Sequence, residues 1–580
     1  MTIEEERRTQ TAIDRIADRY FDQMVAMSPM FLTELGSPER QDEYDDLSPN
    51  GLAAQRDLAA GTLEHLAAEH PTDLVDAVTK AAMRERLGLD VEMFDSGAAL
   101  SSLNGIASGL HAIRSVYDQM STDTADDWHV IARRMRAVPA AIGGWFESQH
   151  SAIDRGLPPA QRQVRLLVEQ VRSWAADGGF FDEFVAGARA GGDPLPDSVL
   201  SDLEGGVALA RGAFEGAADR LESEILPQAT VQDAVGTERY RLYSRQFLGS
   251  SVDLEETYRW GQQELARIEQ MLRETADRVR PGASIAEAME ILDADPAYQL
   301  HGTGELRDWM QARADEAIAA LADVHFDIPG PVRRIEACIA PTHDGGIYYT
   351  GPSEDFRRPG RMWWSVPEGE DTFGTWRELS TVYHEGVPGH HLQIAQTAAR
   401  AGLLNKWRRL GAWVSGHGEG WALYAEWLMA ELGFMDDPGN RMGLLDSQRL
   451  RAARVVIDIG VHCQFDAPDE IGGGSWSYEK AWEFFNNHVS LSEGQARFEV
   501  NRYFGWPGQA PAYKIGERMW LDLRDEVRSA LGDRFDLKEF HRTALDIGGV
   551  GLDVLRAAVL DAMVPPVADP GPEDRGDGGR

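Results

Sequence analysis

TWRELSTVYHEGVPGHHLQ, residues 375–393, is the stretch on which the reading of this chain turns. Thr375 and Glu378 have the spacing of a capping box, which predicts a helix from Trp376. Trp376, Leu379 and Tyr383 then share one face, and the helix leads to His384 and Glu385. A His-Glu pair inside a helix, followed by another histidine, is how zinc hydrolases place two ligands and a general base. Imidazole nitrogen binds zinc at neutral pH. A carboxylate one residue after the first ligand can take a proton from metal-bound water.

The spacing departs from the usual one. In H-E-x-x-H the second histidine falls four residues on, about 6 Å along the axis and on the same face. Here that position is Pro388, which offers no ligand. Proline also removes a helix hydrogen bond and biases Val387 away from helical geometry. With Gly386 and Gly389 beside it, the helix is expected to break or bulge and bring a later histidine back beside His384. His390 requires two extra residues to be absorbed and His391 three. The smaller distortion favours His390, with His391 as the alternative.

A third ligand is expected from GHGEGWALYAEWLMAELG, residues 416–433. Glu419 lies 35 residues after His384, enough chain for one helix to end and a second to return antiparallel. It opens a periodic helix that also carries Glu426 and ends at Gly433. Two histidines and a carboxylate would leave a fourth position open for water. The plainer reading, Glu419 and Glu426 on a solvated face, is outweighed for Glu419 by the neighbouring motif. His417 is read as a supporting or surface residue.

Outward from this centre, residues 332–367 are short β-branched or aromatic runs bounded by Gly, Pro and Asp, which predicts a small strand meander. Within it GGIYYTGP (345–352) offers an edge strand to an extended peptide, with Tyr349 as a substrate contact; packing is the alternative for its tyrosines. Downstream, NRYFGWPGQAPAYKIG (501–516) gathers Arg502, Tyr503, Tyr513 and Lys514 around a Gly/Pro-rich turn. Such a turn can supply the donor that steadies an oxyanion. Tyr513 is the first choice and Tyr503 the second, against the plainer reading of core aromatics. Arg502 or Lys514 suits a substrate carboxylate. Asp458 and His462 are four apart on one helical face, where the carboxylate could orient the imidazole for a supporting catalytic role.

The first 331 residues read as successive amphipathic helices, and helical texture returns from about 375 to 563. The division expected is a helical scaffold over 1–331, a sheet plus metal-binding helices over 332–564, and a disordered Pro/Gly/Asp-rich tail over 565–580. The net charge of −38 argues against nucleic acid and anionic membrane surfaces, and favours neutral or cationic substrates if the acidity extends into the cleft. Two distant cysteines, Cys338 and Cys463, read as buried thiols in a reducing compartment. With no signal pattern at the start and no apolar run of about 20 residues, the expectation is a cytoplasmic chain with no membrane partner.

HEGVPGHHLQ, EGWALYAE, DIGVH (458–462), EVNRYFGWPGQAPAYKIGE (499–517) and FLTELGSPERQDEYDDLSP (31–49) together resemble the bacterial family called domain of unknown function 885. The likeness spans nearly the whole chain. That family is similar to the gluzincin metallopeptidases, which implies a mainly α fold, a large helical body enclosing a cleft, with a small β-sheet before the metal-binding helix. EGWA at 419–422 resembles the glutamate-bearing helix of aminopeptidase N-type enzymes and implies Glu419 as a zinc ligand. HLQ at 391–393 is similar to the helix of angiotensin-converting enzyme and its relatives, which keeps His391 open as second ligand.

The function expected is therefore a zinc metallopeptidase. One Zn2+ per chain would be held by His384, His390 and Glu419, with Glu385 as general base in the attack of metal-bound water on short peptides. The alternatives are a zinc amidohydrolase on a small non-peptide amide, built from the same parts, and a non-catalytic helical binding protein. A purely structural site would want four protein ligands and no adjacent base, which weighs against the last.

Overall fold

The computed structural model describes residues 8–340, 342, 346–353 and 355–564; the tail expected at 565–580 lies outside them. The fold is a large helical body with a small sheet placed just before the metal-site helices, as the sequence predicts. Segments read as helical from their apolar spacing become long helices, among them Leu74–Asp95, Ala125–Asp154, Gln161–Ala175 and Leu254–Val279. Among the described residues no helix is long and apolar enough to cross a membrane.

Two large apolar cores hold the chain. One is built from residues between Leu103 and Ile225, centred on the packed helices Ala125–Asp154 and Asp197–Arg220. The other takes in the first helices, from Ile13 to Leu87, and nearly everything from Tyr240 to Val559. A third, much smaller cluster is formed by Leu89, Met93 and Ala98. Contacts of polar side chains join the two large bodies: Gln163 Nε2 donates to the Asn501 carbonyl at 3.3 Å, and the Arg162 guanidinium lies 4.1 Å from the Tyr478 ring centroid.

The sheet is not a simple meander. Strand Gly360–Trp364 lies in the middle, parallel to Ile335–Ile339 and antiparallel to Ile347–Thr350. The chain must therefore cross over between the first and second strands rather than turn back at each step. Strand Thr372–Gly374 pairs instead with Gln299–His301 and runs straight into the helix Thr375–Glu385. The capping box expected at its start does not form. Gly374 is the cap, the Thr375 hydroxyl donates to the Tyr298 carbonyl at 3.1 Å, and Glu378 accepts from the Trp364 indole at 2.8 Å.

Candidate metal centre

The helix Thr375–Glu385 stops where Gly386, Pro388 and Gly389 leave it no regular continuation, and a second helix, His390–Ala399, begins after four intervening residues. The break is tight. A Cβ at position 389 would stand 2.0 Å from the His384 carbonyl oxygen, so only glycine fits there. The loop is fastened from across the site: the Trp421 indole N–H is shared by the carbonyls of Pro388 at 2.9 Å and Gly389 at 3.2 Å. Trp421 sits two residues after Glu419 on the helix Ser415–Glu431, so one contact sets both the turn and the approach of the third ligand.

His384, His390 and Glu419 converge there, with one ligand atom from each inside a span of 4.8 Å. Glu419 Oε2 lies 3.4 Å from His384 Nε2 and 3.5 Å from His390 Nε2. Donors about 2.0–2.1 Å from a tetrahedral zinc ion stand about 3.3–3.4 Å apart, so the spacing fits that ion. Two further observations support the fit. Glu385 Oε2 and His390 Nδ1 are buried with no hydrogen-bond partner in the protein. His384 Nδ1 lies 2.8 Å from the buried Glu426 Oε1, the outer carboxylate that fixes the tautomer of a metal-ligating histidine.

The electrostatics favour positive charge at this point. Burial opposes a charged His384 ring, yet Glu419 and Glu426 outweigh it and raise its pKa to about 10. Burial likewise works against the Glu419 carboxylate, and the two histidines overcome it, holding its pKa far below the usual range. Burial raises Glu385 above the ordinary glutamate value, which suits a base that must both take and release a proton.

His391, the alternative ligand, is placed elsewhere. Its Nδ1 lies 2.9 Å from the Tyr349 hydroxyl and its Nε2 2.8 Å from the Val332 carbonyl. Both nitrogens are thus occupied, Nε2–H donating and Nδ1 accepting, and burial lowers the ring's pKa to about 4. Tyr349 is bound to that ring rather than open to a substrate. His417 is buried, with Nδ1 on the backbone of Val550 at 2.8 Å.

Of the two downstream tyrosines, Tyr513 is the one whose phenol feels a residue of the centre. Burial raises its phenol, and the Glu419 carboxylate is close enough to raise it further. The guanidinium groups of Arg454 and Arg502 lie 5.2 and 5.9 Å from its ring centroid. Its approach depends on a contact without side chains: a Cβ at position 420 would stand 2.4 Å from the carbonyl carbon of Gly516, on the helix Ala512–Leu531. Tyr503 is drawn into another network, donating its hydroxyl to Glu499 and accepting from Arg454 Nε at 3.2 Å. Arg502 binds Glu499 and Gln509, each at 3.0 Å. Lys514 is buried among Gln448 at 2.6 Å, Glu517 at 2.8 Å and Glu264 at 3.0 Å, which leaves it no role at a substrate carboxylate. Asp458 does not orient His462; it accepts from the Tyr240 hydroxyl at 2.6 Å and the Gly508 N–H at 2.9 Å. His462 Nε2 donates to the Tyr503 carbonyl at 2.7 Å.

Sequence reasoning passed over Glu426, Trp421 and Trp413, whose ring centroid lies 6.2 Å from that of His390. The seven-residue spacing from Glu419 to Glu426 was the one available signal, because it puts both carboxylates on one helix face.

Comparison with known proteins adds a family and a fold. The family described as "Bacterial protein of unknown function (DUF885)" matches residues 29–559. No curated protein matches the sequence. A protein of Colwellia psychrerythraea assigned as a lipoprotein superposes with a TM-score of 0.81 at 22% identity, covering 95% of this chain and 98% of its own. A second, from Shewanella oneidensis and likewise assigned as a lipoprotein of unknown function, gives 0.69 at 16% identity over 95% and 100%. A Pyrococcus furiosus carboxypeptidase covers 96% of both chains at 12% identity with a TM-score of 0.38, too remote to carry an argument about the reaction. The two lipoprotein assignments overturn the expectation of a cytoplasmic chain with no membrane among its partners, and that expectation is withdrawn.

Proposed function

This chain belongs to the bacterial DUF885 family, and from that premise we propose that it is a zinc-dependent hydrolase of short peptides with a gluzincin-like centre. The observation that carries the proposal is the meeting of His384, His390 and Glu419 at tetrahedral donor spacing beside Glu385, a buried carboxylate with an unpartnered oxygen. A zinc ion held by these three residues would supply Lewis acidity and bring the pKa of a water toward neutrality. Glu385 is placed to hold a proton taken from a water at this point and to release it to a leaving amine. Glu426 keeps the His384 ring in the tautomer whose Nε2 lone pair points to the other ligands. Tyr513, beside Glu419, donates to the oxygen on which negative charge develops. Arg454 and Arg502 flank its ring and hold it in place, while burial and the Glu419 carboxylate keep the phenol protonated. The strand Ile347–Thr350, at one edge of the sheet, gives an extended peptide backbone something to pair with.

The test is metal content and turnover together. Purified protein grown with zinc is expected to carry about one ion per chain, and Glu419→Ala to lose it. Glu385→Gln is expected to keep the ion while cleavage of a short-peptide mixture falls at least ~100-fold. Wild-type protein without metal, or a Glu385→Gln variant that cleaves normally, would sink the proposal.

A further inference from the structure

A hollow of about 730 Å³ opens where the two large cores meet, walled by Met24, Met27, Phe31, Met93 and Phe94. Its volume is in the range of about 300–1,000 Å³ that holds a compact organic ligand. A second hollow of about 290 Å³ shares Tyr20, Met24, Asp90, Gln246 and Gly411 with it and extends to Trp413. Trp413 is 53% exposed and its ring lies 6.2 Å from that of His390. The two hollows share Asp90, and Trp413, which lines the smaller one, stands beside the His390 ring of the candidate metal centre.

The charges on these walls are unevenly matched. Arg56 is paired with Asp57 and Asp95, each at 3.1 Å. Arg86 is paired with Glu85 and donates to the carbonyls of Gln246 at 2.8 Å and Arg245 at 2.9 Å. Asp45 is also satisfied, accepting from the Ser28 hydroxyl at 2.6 Å and the Met30 N–H at 2.9 Å. Asp90 and Glu34 have no hydrogen bond or ion pair among the described residues. Asp90 is exposed to the open hollow, and the protein around it lifts its pKa to about 6. Burial raises Glu34 too. At neutral pH Asp90 is therefore an anion open to the hollow; Arg86 acts on it only through its field, and the arginines on these walls are already bound to other groups.

We propose that this hollow is the subsite for a lysine or arginine side chain of the substrate, with Asp90 receiving the cationic head and the methionine and phenylalanine wall receiving its aliphatic stem. Long cationic side chains bury their stems against apolar surface and keep the charged head where it is solvated or paired. A neutral side chain of the same length gains the wall but not the carboxylate. An acidic one meets Asp90, Glu34 and the field of a chain whose net charge is −38. The inference rests on the peptide-hydrolase reading for its choice of ligand and names the class of peptide that reading leaves open.

The test separates binding from cleavage. Dye-labelled hexapeptide pools on an alanine-glycine background carry lysine, norleucine or glutamate fixed at each position in turn. Their binding to zinc-loaded Glu385→Gln protein is read by fluorescence anisotropy, beside the same protein with Asp90→Asn added and its fold checked by circular dichroism. At one position lysine is expected to bind about tenfold more tightly than norleucine, in line with one charge-assisted contact, with glutamate weakest. Asp90→Asn is expected to bring the lysine-to-norleucine ratio close to one. Equal binding of lysine and norleucine at every position, or a preference that survives Asp90→Asn, overturns the proposal. Incubating wild-type protein with the same pools tells the two readings apart. Lysine-selective binding without cleavage overturns the hydrolase and leaves the subsite; cleavage indifferent to lysine does the reverse.

Discussion

Replacing Glu426 isolates what the carboxylate behind the first ligand does. Glu426 Oε1 lies 2.8 Å from His384 Nδ1, and both side chains are buried. With Nδ1–H donated to Glu426, the Nε2 lone pair is left toward Glu419 Oε2, 3.4 Å away, which is the separation of two donors to one ion. Glu426→Gln keeps a carbonyl acceptor for Nδ1–H and removes only the charge. Glu426→Leu removes the acceptor as well and frees the ring to take the other tautomer. Losing such an outer partner weakens metal binding about 10–100-fold, or about 1.4–2.7 kcal/mol. The glutamine variant is expected near the lower end and the leucine variant near the upper. Zinc competition against a chromophoric chelator at neutral pH measures all three proteins on one scale, with circular dichroism to confirm that each is folded. Glu385→Gln serves as the internal control and is expected to bind zinc within a few-fold of wild type. Equal affinities in wild type and both Glu426 variants would refute the reasoning, because the ring's orientation would then be set by packing alone.

Two other outcomes follow from contacts away from the ligands. Glu499 is disfavoured by burial but lies between Arg454 and Arg502, which hold its pKa at about 2 against an ordinary 4.5. Its folded-state value lies below the unfolded one, so its contribution, roughly 3 kcal/mol, is complete above about pH 4.5 and is lost as pH falls toward 2. Urea midpoints measured from pH 6 to 2.5 should therefore drop less steeply in Glu499→Gln than in wild type, and parallel curves would count against this account. Gly420→Ala places a methyl group 2.4 Å from the carbonyl carbon of Gly516 and must push two helices apart. It is expected to cost about 1–3 kcal/mol and to lower the melting temperature, and an unchanged melting temperature would show that the helices yield without strain.

What could be read in the sequence was whatever the chain settles locally. The break after Glu385 follows from the covalent chemistry of Gly386, Pro388 and Gly389, and it is where the helix ends. Period alone was enough to find Leu254–Val279. Tertiary partners were hidden. Asp458 and His462 have the spacing of an interacting pair, but the Asp458 carboxylate is taken by Tyr240, 218 residues away in sequence. Lys514 looked free to bind substrate because nothing near it in sequence announces Glu264. The capping box failed for a related reason: pairing of Thr372–Gly374 with a distant strand already fixes how the chain enters the helix. The hollow was invisible because an amphipathic helix has the same pattern whether its apolar face meets a core or lines a cavity.

The division of the interior into two large cores has a thermodynamic side. A cooperative unit melts as one because its buried side chains depend on one another for contact, and separate clusters need not share that dependence. The residues from Leu103 to Ile225 depend chiefly on each other. They are tied to the remainder by contacts such as those of Gln163 and Arg162, which contribute far less heat capacity on unfolding than apolar burial does. Heating should therefore release this protein in two calorimetric steps rather than one, and amide exchange within the 103–225 body should follow a different opening free energy from that of the helices bearing His384 and Glu419. Zinc held at the proposed site would lie within the second body, and adding it should raise the temperature of one step and leave the other where it was.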